Sequence, residues 1–180
     1  MGKRGSGEMG DTIPVEQITT FSAAVLSDAG ADDATARDAT SAMLHASLHG
    51  IDSHGFRLLP HYRMAILGGR LNGAPVLSFV RKKAGRGVLD AGNAHGARAM
   101  YCAAAHAATL AREAGIGAVG VRNSSHFGAA GAYAMALATQ GLGGIVFGNS
   151  DSLVRLHDGA TRFHGTNPIA VGFPADGNPW

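Results

Sequence analysis

The chain has 180 residues, of which 46% are hydrophobic and 16% charged, and 15 Lys+Arg against 13 Asp+Glu leave a net charge of +2. That is globular composition with room for a sizeable core, and it excludes a disordered polyelectrolyte. No basic block with interleaved aromatics points to nucleic acid, and no apolar run reaches the roughly 18 residues of a membrane span.

Residues 1–11 are polar and glycine-rich and are expected to be disordered; Lys3 and Arg4 lead into Gly, Ser, Glu and Asp, not the apolar core of a signal peptide. Pro14 opens a first helix, with Val15, Ile18, Phe21, Val25 and Leu26 at helical spacing and Gly30 as its stop. Asp32 or Asp33 caps a second helix, which carries Met43, Leu44 and Leu48 and ends at Gly50. A third contains Leu59, Tyr62, Ile66 and Leu67, with Pro60 in its first turn and Gly68-Gly69 closing it. Residues 12–74 are therefore predicted to form one helical layer.

The pattern then changes. Short strands are predicted at 76–80 and 87–90 around a basic turn, a long alanine-rich helix at 97–114 ending at Gly115, and a buried strand at 118–121. A helix at 129–139 and strands at 144–147 and 169–173 complete an α/β part. Cys102, the single cysteine, lies in the alanine-rich helix as a small core residue; it excludes an intramolecular disulfide and fits a reducing cytoplasm. Asp176-Gly177-Asn178-Pro179-Trp180 reads as a turn entering a new strand, so the chain is expected to be a fragment, with 75–180 the first part of a longer domain.

Gly50-Ile51-Asp52-Ser53-His54-Gly55 places a carboxylate, a hydroxyl and an imidazole between two glycines where a helical pattern breaks. His54 is the acid–base candidate, Ser53 can orient its ring, and Asp52 can cap the next helix. His126 follows a strand in an Asn-Ser-Ser-His-Phe-Gly-Ala-Ala-Gly loop that enters a helix, where free backbone N–H groups favour an anion. Gly128 and Gly131 do not have the spacing of the Gly-x-Gly-x-x-Gly fingerprint. Ser150 follows another strand, and Thr166 sits in a Gly-Thr-Asn-Pro turn. His45 and His49 lie four apart, a spacing that can bind zinc, but Ala46 occupies the position where a zincin motif needs Glu. No metal site is assigned.

Together, Gly50-Ile51-Asp52-Ser53-His54-Gly55 with Leu59-Pro60 and Tyr62, Gly115-Ile116-Gly117-Ala118-Val119 leading to Arg122-Asn123-Ser124-Ser125-His126-Phe127-Gly128, and Gly165-Thr166-Asn167-Pro168 closely resemble the malate/L-lactate dehydrogenase family. That family includes ureidoglycolate dehydrogenase, L-sulfolactate dehydrogenase and Δ1-piperideine-2-carboxylate reductase. The resemblance implies NAD- or NADP-dependent oxidation of 2-hydroxy acids, or reduction of 2-oxo acids and cyclic imino acids. It also implies a helical layer followed by a non-Rossmann mixed sheet of the L-sulfolactate dehydrogenase-like type, in a homodimer with sites near its interface; the cytoplasmic location is the expectation from composition.

By resemblance Ser53 and His54 match a proton-relay pair. His126, Phe127, Gly128, Ala129 and Ala130 match a cofactor-contacting segment, and in some members this histidine is the proton acceptor. Ser150 and Asn167 are assigned to the cofactor, Tyr62 and Thr166 to the substrate. The family often has its carboxylate-binding arginine four residues after the relay histidine. Here Leu58 holds that place and Arg57 precedes it, about 100° away on a helix; Arg57 is the substitute candidate. Family members run to nearly twice this length, and their later half carries a relay aspartate and a lysine-glycine segment. The alternatives to an oxidoreductase are a truncated, non-catalytic binding or dimerisation module and a zinc hydrolase built on His45 and His49.

Overall fold

A computed structural model describes residues 12–177. The tail at 1–11 and the new strand expected after the final turn lie outside the described residues. Helix α1 (Val15–Asp28) starts after Pro14 and ends as the pattern predicts. Gly30 takes φ 103°; its N–H donates to the Ser27 carbonyl at 2.9 Å, and that of Ala31 to Leu26 at 3.0 Å, closing the helix end. The inner face is narrower than the spacing suggests. Ser22 and Leu26 are buried, whereas Val15 and Phe21 face solvent.

Helix α2 (Asp33–Leu48) is capped by Asp32, whose carboxylate accepts from the Thr35 N–H at 2.7 Å. It buries Met43 and mainly alanines, whose small side chains let α1 and the later helix Gly96–Ala114 approach closely, and Leu48 is exposed. Two 3₁₀ turns, Asp52–His54 and Phe56–Leu58, then turn the chain into α3 (Leu59–Leu67), with Pro60 in its first turn. Leu26, Met43, Leu59, Tyr62, Ile66 and Leu71 form the core of this layer.

Strand β1 (Ser78–Lys83) pairs antiparallel with β2 (Arg86–Ala94), and β2 pairs parallel with β3 (Ala118–Ser124) across the crossover helix α4 (Gly96–Ala114). The sheet is mixed, as expected. β1 starts later than predicted and runs through the basic residues to Lys83, because pairing with β2 offsets their modest strand preference. β3 is not buried: it is an edge strand whose outer residues are exposed. Gly115 adopts the left-handed conformation at φ 78° that ends α4.

Helix α5 (Gly131–Ala138) is shorter than predicted at both ends. Strand β4 (Gly144–Phe147) pairs antiparallel with β7 (Ile169–Gly172). Between them lies a small hairpin, β5 (Val154–Arg155) with β6 (Arg162–His164), too short and polar to leave a periodic signal in the sequence. Ala42 of α2 packs with Ala97, Ala130, Tyr133 and Val146, so the helical layer and the α/β part share a core. Arg98 of α4 also reaches Asp38 of α2 at 3.4 Å. Among the described residues, no helix is long and apolar enough to cross a membrane.

Candidate active site

The first 3₁₀ turn presents His54, and the loop between β3 and α5 presents His126. Their rings lie 5.6 Å apart between centroids, with planes 26° from parallel. Ser53 Oγ is 2.9 Å from Nδ1 of His54. Tyr62 Oη is 2.9 Å from Nδ1 of His126, a contact between residues 64 positions apart. Tyr62 itself is only 2% exposed. Its hydroxyl is engaged by His126, which makes it a support under the pair.

Burial raises the Tyr62 phenol well above its ordinary value, so it stays protonated where it meets Nδ1 of His126 and can donate to it. His126 keeps an accessible edge, yet enough protein surrounds the ring that desolvation lowers its pKa; the charges of His54, His61 and Arg70 add to this. A neutral imidazole that accepts at Nδ1 carries its proton on Nε2. With Tyr62 as the donor, His126 is itself a donor at its free nitrogen.

Three neighbours of this pair carry no motif signal. His95 is 1% exposed, its ring meets that of Tyr62 edge-on at 4.1 Å, and burial, with smaller contributions from nearby cations, depresses its pKa to about 3. Its Nδ1 accepts from the Ala97 N–H at 3.1 Å and so caps α4, while Nε2 is buried with no partner. Arg70 donates to Nε2 of His61 at 2.9 Å, and its charge reaches Tyr62, His95 and His126. Only the place of His95 between a strand and an alanine-rich helix marked it as a possible cap. Arg57 is exposed on the second 3₁₀ turn and makes none of these hydrogen bonds.

The loop that carries His126 is held from three sides. Tyr133 donates to the Phe127 carbonyl, Gly128 takes φ 75°, and a Cβ on Gly148 would fall 2.9 Å from the Phe127 ring. Beneath it lies Gly96, where a Cβ would strike the His126 carbonyl and stand 2.5 Å from Cα of Phe127. Because the obstruction is backbone, Gly96→Ala is expected to shift the loop and cost about 1–3 kcal/mol of stability. Thermal unfolding of the variant beside the parent checks this; unchanged melting would show that the loop yields freely. Ala129 and Ala130 are buried at the start of α5.

Ser150, Thr166 and Asn167 form a second polar group. The Thr166 N–H donates to Ser150 Oγ at 2.9 Å, the two hydroxyls are 3.1 Å apart, and Asn167 Oδ1 accepts from the Ser150 N–H at 3.0 Å. Phe127, bearing on Gly148, connects this group to the imidazole pair. His45 and His49 stack at 4.2 Å, and His49 Nδ1 is 2.7 Å from the His45 carbonyl. Among the described residues no three His, Cys, Asp or Glu side chains gather where a metal could be held, so the zinc reading lacks a third ligand. Cys102 is partly buried, not fully as expected, and burial pushes its thiol up, away from the reactive thiolate.

The sequence profile of the malate/L-lactate dehydrogenase family matches residues 13–180. The chain is 38% identical over 168 residues to a malate dehydrogenase of Pyrococcus abyssi, a match covering 93% of this chain and 46% of that protein. It is 31% identical over 153 residues to an L-sulfolactate dehydrogenase of Methanocaldococcus jannaschii, covering 83% and 43%. The solved malate dehydrogenase of Pyrococcus horikoshii OT3 superposes with a TM-score of 0.90 at 32% identity, over 99% of this chain and 52% of that one. The chain thus spans about half the length of the curated relatives it matches. Both the profile and the superposition run through the corner of His54, the loop of His126 and the turn of Thr166: the chain belongs to the malate/L-lactate dehydrogenase family.

Proposed function

We propose that this chain serves an NAD- or NADP-dependent oxidoreductase interconverting a 2-hydroxy acid of the malate, lactate or ureidoglycolate type with its 2-oxo acid. The observation that carries the reading is the pair of imidazoles 5.6 Å apart, one held by Ser53 and the other by Tyr62. The residues present fit a dinucleotide. Among the described residues the backbone N–H groups of 128–131, just ahead of the hydrogen-bonded first turn of α5, have no protein acceptor and would favour phosphate, and the Ser150 and Thr166 hydroxyls are exposed. The mixed sheet supports a nucleotide site outside the Rossmann pattern, as does the place of Gly115-x-Gly117-x-x-Gly120, which leads from α4 into β3 and not from a strand into a helix.

When bound, the nicotinamide supplies the acceptor for the hydride leaving C2 of the hydroxy acid. With Nδ1–H donating to Ser53 Oγ, His54 presents the lone pair of Nε2 and takes the hydroxyl proton as the carbonyl forms. His126 donates from Nε2 to the same oxygen or to the cofactor amide beside it, and Tyr62 holds it in that tautomer. Arg57, exposed on the second 3₁₀ turn, pairs bidentately with the substrate carboxylate, and Thr166 offers a hydroxyl to the substrate. Phe127 to Ala130, with Ser150 and Asn167, would hold the cofactor. A homodimer in the cytoplasm completes the proposal.

The test is a panel of 2-oxo acids and cyclic imino acids assayed with NADH and NADPH on the product of the complete reading frame. Cofactor oxidation with at least one 2-oxo acid is the expected result. A specific observation favours a second reading, a non-catalytic assembly module. Ile145 and Phe147 of β4 and Ile169 and Val171 of β7 expose 50–73% of their surfaces on one sheet face, which suits cover by more protein. Cofactor binding with no turnover across the panel would select that reading.

A further inference from the structure

We propose that His95 is a positioning residue for the imidazole pair: its ring seats Tyr62, whose hydroxyl in turn fixes His126 opposite His54. The inference rests on the proposed function for its catalytic meaning, but its geometry stands independently. His95 is buried to 1% exposure and meets the Tyr62 ring edge-on at 4.1 Å. Tyr62 continues the chain to His126 at 2.9 Å, and His126 faces His54 at 5.6 Å.

Two features distinguish this from ordinary core packing. A buried imidazole is a costly filler where Leu or Phe would pack without an unmet polar atom, and Nε2 of His95 has no hydrogen-bond partner. With Nδ1 accepting from Ala97, the neutral ring carries its proton on Nε2. An edge-on ring pair is the arrangement in which a ring N–H or C–H edge meets an aromatic face. Second, the next residue is Gly96, on which the His126 backbone rests. His95 and Gly96 thus touch both partners of the Tyr62–His126 hydrogen bond, one through a ring and one through the absence of a side chain.

His95 also caps α4, so the test separates cap from seat. His95→Asn keeps a strong N-cap acceptor and removes the ring; His95→Phe keeps the ring and removes the cap acceptor. The readout is ¹⁵N NMR of the His126 ring in the 180-residue chain, with Tyr62→Phe as the reference for a lost hydrogen bond. His95→Asn is expected to give His126 the mixed-tautomer signature of Tyr62→Phe, while His95→Phe keeps the parent signature with a lower melting temperature. An unchanged His126 signal in His95→Asn overturns the proposal, and so does equal loss in both variants, which would make the helix cap the cause. Because this readout needs no substrate, a failure of the dehydrogenase reading leaves it intact, and the reverse also holds. In the active enzyme, His95→Asn is expected to lower kcat by at least about tenfold with little change in KM.

Discussion

Replacement of His54 by alanine is expected to lower turnover of the 2-hydroxy acid by about 10²–10⁴-fold while leaving cofactor affinity within a few-fold. The residue sits on a 3₁₀ turn outside the buried core, so its loss removes a proton acceptor without opening a cavity. Its neighbour Ser53 has only a hydroxyl, far too weak a base to replace it. In the proposed tautomer, with Tyr62 donating to Nδ1, His126 is no substitute either, because its Nε2 carries the proton. The charge of His54 is one of the causes that hold the His126 pKa down, so the variant should also show His126 titrating higher. Steady-state kinetics with direct cofactor-binding measurements check the first point and NMR titration the second. Near-normal kcat would remove His54 from the mechanism.

The second large effect is acid instability. His95 titrates near 3 in the fold against an ordinary 6.5, so between those values the unfolded chain binds the extra proton. Its contribution to stability is therefore complete above about 6.5 and is lost as pH falls toward 3. At about 1.4 kcal/mol per pKa unit, the full shift corresponds to an effect on the order of 5 kcal/mol, a large share of a domain's stability. Asp38 acts in the opposite sense, since burial raises its carboxyl and favours the fold as pH drops, which offsets part of the loss. Urea unfolding across pH 7.5 to 4, on the parent and on His95→Phe, measures the balance. The parent should weaken steeply below pH 6.5, and the variant, whose ring carries no proton site, should have a flatter profile. Parallel profiles would assign the acid sensitivity to other groups.

The long, capped elements were legible in the sequence. Asp32 before α2, Gly30 after α1 and Gly115 after α4 act through backbone geometry and hydrogen bonds within a few residues, so their signals survive without a tertiary context. The glycine-flanked corner bearing Ser53 and His54 was legible for the same reason. The edge position of β3 was not, because a run of small apolar residues looks the same in a central strand and an edge strand. Neither was the exposure of Val15, Phe21 and Leu48, which depends on which neighbouring helices arrive and how closely.

By itself the amino-acid order determined the helical layer, the alternation of strands and helices that follows, and the family to which both belong. Only the tertiary structure decided that His54 and His126 face one another, that Tyr62 is a buried support, and that His95 lies beneath them. The reason is physical: capping and periodicity are local, whereas ring-to-ring distance, the desolvation that lowers a histidine's pKa and the hydrogen bond that selects its tautomer arise from groups brought together by packing.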